Sequence, residues 1–193
     1  MADVDEISAE LRAHSPGVEF NIEGDPRADL LEKVREAVPE QCTLVPVRAG
    51  EITSQAGWAP DTPVAEMRRV VSGLRARGIR VSMFVEPDAE AIRWAASLNA
   101  NRVELYTEPF ARAFERGADA AAASFRQYAE AARLAHDLGL GVNAGHDLDL
   151  HNLTLFRTLP HLDEVSIGHA LIGHALFVGL DRAVREYLAA VAA

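Results

Sequence analysis

The sequence predicts an α/β fold of the TIM (βα)8-type barrel kind. Three observations predict it: six short runs rich in apolar, β-branched or aromatic residues, helix-patterned segments between them, and a spacing of roughly 29 residues from run to run, against ~31 per unit in an eight-unit barrel of ~250 residues. About six units of that size do not close such a barrel, so the expected form is a single barrel domain over residues 1–193 that lacks the first one to two βα units at its N-terminus. An open doubly wound sheet satisfies the same alternation.

The expected strands are Val18 to Glu23, Cys42 to Val47, Val81 to Glu86, Val103 to Glu108, Gly141 to His146 and Glu164 to Ala170. Each is short and mostly apolar, as parallel strands buried on both faces are. After the first, Asp25 and Pro26 read as the cap and first turn of a helix carrying Leu30, Leu31, Val34 and Val38 at helical spacing. Thr62 and Pro63 repeat the device before Met67, Val70, Val71 and Leu74, and Gly78 sits where a helix C-cap is expected. Pro87 opens a stretch ending near Leu98. The Ala-rich segment from Phe110 to about Leu138 is too long for one crossover, which predicts a short extra helix after VELYTE, a break near Gly117 and then a main helix. The last helix spans about Leu180 to Ala192.

Composition narrows the function classes. The 193 residues are 49% hydrophobic and 25% charged, enough for a sizeable core. With 29 acidic against 19 basic side chains the net charge is −10, which argues against nucleic acid or an anionic membrane as the main partner. Cys42 alone gives neither a disulfide framework nor a thiolate zinc site. No apolar run reaches the ~18 residues of a membrane span, and MADVDEISAEL lacks the basic and apolar regions of a signal peptide, so a cytoplasmic globular protein is expected.

In either architecture the functional end is the C-terminal edge of the strands, where carboxylates, histidines and glycines concentrate here. Glu23 ends a largely apolar strand; it either faces the barrel mouth as a proton shuttle or caps the next helix. Glu104 flanks Val103 and Leu105, so alternation puts it on the opposite face, and an acid within a strand must be paired or used. In NAGHDLDLHN, Gly145 is expected to let the backbone turn so that His146 projects as an acid or base, with a structural histidine as the alternative; His151 reads as a helix-surface residue. Gly168 and His169 follow the last strand, where such barrels bind phosphate on backbone amides. His169 and His174 stand five apart, so they do not form an i, i+4 metal pair. GEITSQAGW, from Gly50 to Trp58, reads as a polar loop able to fold over a substrate and offer Thr53.

Together these runs resemble pyridoxine 5'-phosphate synthase. VEFNIEGDP, CTLVP followed by GEITSQAGW, RVSMFVEPD, VELYTEPFA, LGLGVNAGHDL and EVSIGHALIGHAL stand in that family's order and spacing. The resemblance implies condensation of 1-deoxy-D-xylulose 5-phosphate with 3-amino-2-oxopropyl phosphate to pyridoxine 5'-phosphate, phosphate and water, with no metal or organic cofactor. It implies Glu23 as proton acceptor, His146 as proton donor and Glu104 as support for the transition state. Thr53 matches the hydroxyl on the deoxyxylulose phosphate. Asp147 matches a contact to the aminoketone phosphate, with Gly168 and His169 as its phosphate-binding pair. Small phosphorylated substrates are thus the implied partners, and family members form homo-oligomers up to octamers.

Two departures shape the expectation. Val47-Arg48 stands where the family has Glu followed by Lys or Arg. The family's first strand, with Asn-x-Asp-His and ATLR-type residues, and its second, with His-x-Arg-Glu-Asp-x-Arg-His, have no counterpart, and with them go a catalytic histidine and several arginines. The alternative is therefore a catalytically incomplete barrel that binds a phosphorylated metabolite or a partner chain. An isomerase or aldolase using a Schiff base is disfavoured, because Lys33, the only lysine, falls in a helical segment.

Overall fold

A computed structural model describes residues 2–47 and 54–192. Helix α1 (Ala2–His14) leads into β1 (Asn21–Gly24), α2 (Ala28–Ala37), β2 (Gln41–Leu44), α3 (Val64–Arg75) and β3 (Arg80–Val85). Then come α4 (Ala89–Ser97), β4 (Arg102–Tyr106), α5 (Glu108–Glu115), α6 (Ala118–Asp137), β5 (Gly141–Gly145), α7 (Leu153–Phe156), β6 (Leu162–Ser166), α8 (His169–Val178) and α9 (Leu180–Ala192). The six strands are all parallel and lie in the order β1-β2-β3-β4-β5-β6. Sequential order is that of a barrel wall, whereas a doubly wound sheet reverses its order at a switch point. Among the described residues β6 does not pair with β1, so the wall is a half-barrel with two edges.

Alternation sorts the strand residues onto two different faces. Ile22, Cys42, Leu44, Val81, Met83 and Leu105 are buried against the helices. The register aligns Glu23 with Thr43, Thr43 with Ser82, and Glu104 with Asn143, so the concave face is polar. Behind the sheet, α5, α6 and α7 close the core around Phe110, whose ring lies 4.8 Å from Phe156 and 6.0 Å from Tyr128. The break between α5 and α6 falls at Gly117, whose φ of +112° suits a residue without Cβ.

Two expected caps do not form. Helix α2 begins at Ala28 behind an extended Arg27 with no side-chain cap; Asp25 lies two residues before that cap position, and its carbonyl accepts from Arg27 N–H at 2.7 Å. Pro63 itself is the N-cap of α3, and Thr62 instead donates its N–H to the Ala59 carbonyl and accepts from the Trp94 indole, both at 3.0 Å. The cap that does form is Asp88, whose Oδ1 accepts from Glu90 and Ala91 N–H at 2.9 Å. At the other end of the chain, α8 is almost wholly apolar yet buries none of its residues, and Phe177 is 91% exposed.

Candidate active site

Strand ends β1, β4, β5 and β6, with α5 and the N-terminus of α8, enclose a cavity of about 680 Å³. Glu23, Glu104, His146, Asp147, Gly168 and His169 all line it. Six of the seven residues singled out in the sequence are thus in one place; Thr53 lies outside the described residues, as does Arg48.

Glu104 is buried, at 1% exposure, at the floor of the cavity, and its Oε2 has no hydrogen-bond partner. Burial, reinforced by the charge of Glu23, raises its pKa to about 8, against smaller opposing effects of the Ser166 and Thr43 hydroxyls. It forms no ion pair among the described residues. Glu23 remains accessible through the cavity and caps no helix; desolvation by the surrounding wall raises its carboxyl above the usual range. Two carboxyls of raised affinity for a proton therefore face one space, as acid/base chemistry requires.

Gly145 serves a different purpose from the one expected. Its φ is not left-handed; the turn is made by His146 (φ 80°) and Asp147 (φ 58°). Left-handed backbone costs about 1–2 kcal/mol at each residue with a Cβ, so this turn must be held by its surroundings. What Gly145 provides is room: a Cβ there would overlap Glu104 Oε1 and stand 3.1 Å from Ser166 Cβ. The His146 ring packs 4.9 Å from Phe84 and edge-on to Tyr106 at 5.2 Å. This half-buried seat lowers its pKa, mainly by desolvation; Asp147 opposes the shift and His169 adds to it.

Gly168 is the N-cap of α8 and brings no side-chain cap, and the first turn of this ten-residue helix, Gly168 to Ala170, lines the cavity. An unsatisfied helix N-terminus is an anion site in waiting when a ligand is at hand. His151, expected on a helix surface, instead lines the cavity mouth, because α7 starts only at Leu153 and the preceding turn brings 149–152 to the rim. Asp149, Asn152, Ser166 and Arg112 also line the cavity without having been singled out. Arg112 is the one arginine among the described lining residues, and Glu108 holds it at 2.9 Å. No three His, Cys, Asp or Glu side chains converge as a metal set among the described residues.

The end of the Gly50–Trp58 loop is fixed to the sheet. Trp58 donates its N–H to the Phe84 carbonyl and its indole Nε1–H to the Leu44 carbonyl, both at 2.9 Å. Gly57 lies so close to β3 that a Cβ would come within 2.5 Å of the Val85 backbone. Among the described residues no helix is long and apolar enough to cross a membrane.

Two solved structures show the fold alone. The tryptophan synthase A-subunit of Pyrococcus furiosus matches with a TM-score of 0.60 at 16% identity over 95% of this chain and 71% of that one. A 3-keto-L-gulonate-6-phosphate decarboxylase from Vibrio cholerae matches with a TM-score of 0.58 at 14% identity over 97% and 76%. Closer in sequence are proteins named pyridoxine 5'-phosphate synthase. That of Christiangramia forsetii is 47% identical over 171 residues, covering 88% of this chain and 71% of that protein. That of Bacteroides thetaiotaomicron is 46% identical over 187 residues, covering 96% and 76%. The family model described as pyridoxal phosphate biosynthesis protein PdxJ matches residues 1–193. With a family model matching the whole chain and relatives nearly half identical, the chain belongs to the pyridoxine 5'-phosphate synthase family and is an enzyme of that kind.

Proposed function

We propose that the chain condenses 1-deoxy-D-xylulose 5-phosphate with 3-amino-2-oxopropyl phosphate to pyridoxine 5'-phosphate, phosphate and water by acid/base catalysis. The observation that carries this is the convergence of Glu23, Glu104 and His146 on one cavity that also holds the α8 N-terminus. Imine formation, loss of water and phosphate, and ring closure are successive proton transfers, which need groups that change protonation near neutrality. Glu23, raised by burial, takes protons from carbon or nitrogen. Glu104 still holds its proton at pH 7 and donates a hydrogen bond to oxygen as negative charge develops there. His146, whose burial makes its imidazolium a readier acid, returns protons to leaving oxygens. Asp147 and the Gly168–His169 pair seat the aminoketone phosphate on the helix N-terminus, and Thr53 contacts the other substrate. Remote phosphate binding then holds the reacting carbons together.

Self-association belongs to the same reading. Leu176 and Phe177 on α8, with Leu180 and Leu188 on α9, form an exposed apolar face suited to a second copy of this chain.

Incubating the chain with both substrates should yield pyridoxine 5'-phosphate and inorganic phosphate in equal amounts. Glu23→Gln should slow this by roughly 100-fold or more. A folded chain that binds inorganic phosphate yet forms no product would overturn the catalytic reading in favour of a phosphate-binding half-barrel.

A further inference from the structure

The turn that presents His146 is held by two buried side chains outside the proposed chemistry. Thr107, wholly buried one residue past β4, donates its backbone N–H to the Gly145 carbonyl at 2.9 Å. Its hydroxyl is shared between that carbonyl, at 2.6 Å, and the carbonyl of His146. Asn152, also buried, donates Nδ2–H to the Asp147 carbonyl at 2.9 Å, while its Oδ1 accepts from Asp149 N–H at 2.9 Å. Asp149 Oδ1 in turn accepts from the His151 and Asn152 amides at 2.8 Å. The carbonyls of three consecutive residues, 145 to 147, are therefore each engaged by a side chain, two of them within the left-handed pair.

We propose that Thr107 and Asn152 are positioning residues that fix the His146–Asp147 turn and thereby aim the imidazole into the cavity. Released carbonyls would let both residues leave the left-handed region, and a swing of the backbone there carries the ring off Phe84 and Tyr106. The inference rests on His146 as the proton donor only for its kinetic consequence; the geometry stands apart from it. Thr107→Val keeps the shape and removes the donor, whereas Thr107→Ser keeps the donor.

The test follows the His146 ring proton by NMR, assigned by its loss in His146→Asn. The groups facing the ring are Asp147, His169 and Tyr106. In Thr107→Val the His146 pKa should rise by about half a unit or more as the ring leaves its desolvated seat, and Thr107→Ser should return it. Turnover in Thr107→Val should fall about 10- to 100-fold with KM changed less than about threefold, and the substitution should add nothing in a His146→Asn background. A folded Thr107→Val chain with an unaltered His146 titration overturns the proposal. Should that variant fail to fold, Asn152→Ala decides by the same titration. Full turnover in His146→Asn would remove the proton-donor reading while leaving the titration to judge the clamp.

Discussion

Glu104 combines burial with an oxygen that no group among the described residues satisfies. With a native pKa of about 8 against an unfolded value of about 4.3, the native state keeps a proton that the unfolded chain has already lost between these two pH values. Native stability therefore falls as pH rises through that window, by about 1.4 kcal/mol per unit at most. Glu104→Gln removes the liability and should be more stable than the parent by a few kcal/mol at pH 8, the two converging near pH 4, while its amide still donates a hydrogen bond and keeps part of the activity. Melting curves from pH 4 to 8 check this, and parallel curves would contradict it. The face Glu104 occupies was legible from its neighbours Val103 and Leu105, since alternation needs only local sequence. Its lack of a charged partner was not, because that depends on which side chains stand on neighbouring strands. His151 was misplaced for a related reason: its position depends on where α7 starts, which the Asp149 turn sets.

The β5 element shows why a glycine can be seen in a sequence while its purpose stays hidden. NAGH suggested a sharp turn at Gly145, yet the left-handed residues are the next two, and the absent Cβ makes room for a carboxyl on β4. Gly145→Ala should consequently act through Glu104. The added methyl must displace the carboxylate or part the strands, lowering stability by roughly 1–3 kcal/mol and activity by about 100-fold. Combining it with Glu104→Ala should recover most of the stability, since the obstructing group is then gone; additive losses in calorimetry would place the clash elsewhere. Six strands and the helices between them were readable from their periods, including the α5–α6 break at Gly117, but α1 and α8 were not, and Ala170, expected to end the last strand, lies in α8. The caps at Asp25 and Thr62 failed because capping requires a side chain to meet an amide in a particular backbone geometry, and residue type cannot supply that.

Across the whole sheet, the end opposite the cavity carries a cluster of positive charge at the strand starts. Arg80, at the start of β3, pairs with Glu19 ahead of β1 and donates Nε–H to Gln41 of β2 at 2.8 Å. Arg102, at the start of β4, pairs with Glu164 of β6 and reaches Asn143 of β5 at 2.9 Å, while Arg80 Nη2 stands 3.9 Å from the same Glu164. Ions bridged across the concave face thus link the approach to β1 with β6, in a wall whose interior would otherwise be open. Six strands were legible from spacing, but their order was not, since a doubly wound sheet shows the same alternation, and neither was this tie, which depends on which side chains meet across the strand starts. Glu164 is the shared anion, so Glu164→Gln leaves the largely buried Arg102 guanidinium without its carboxylate, while Arg80 keeps Glu19. It should lower stability by about 1–3 kcal/mol, several degrees in Tm for a chain of this size, whereas an exposed pair would give almost nothing. Replacing Arg102 by Met together with Glu164 by Leu should restore much of the loss, because the stranded charge goes with its partner. Thermal unfolding of the three chains decides the matter: equal midpoints would mean that the bridge is solvated and that the outer layer of helices alone sets the curvature of the wall.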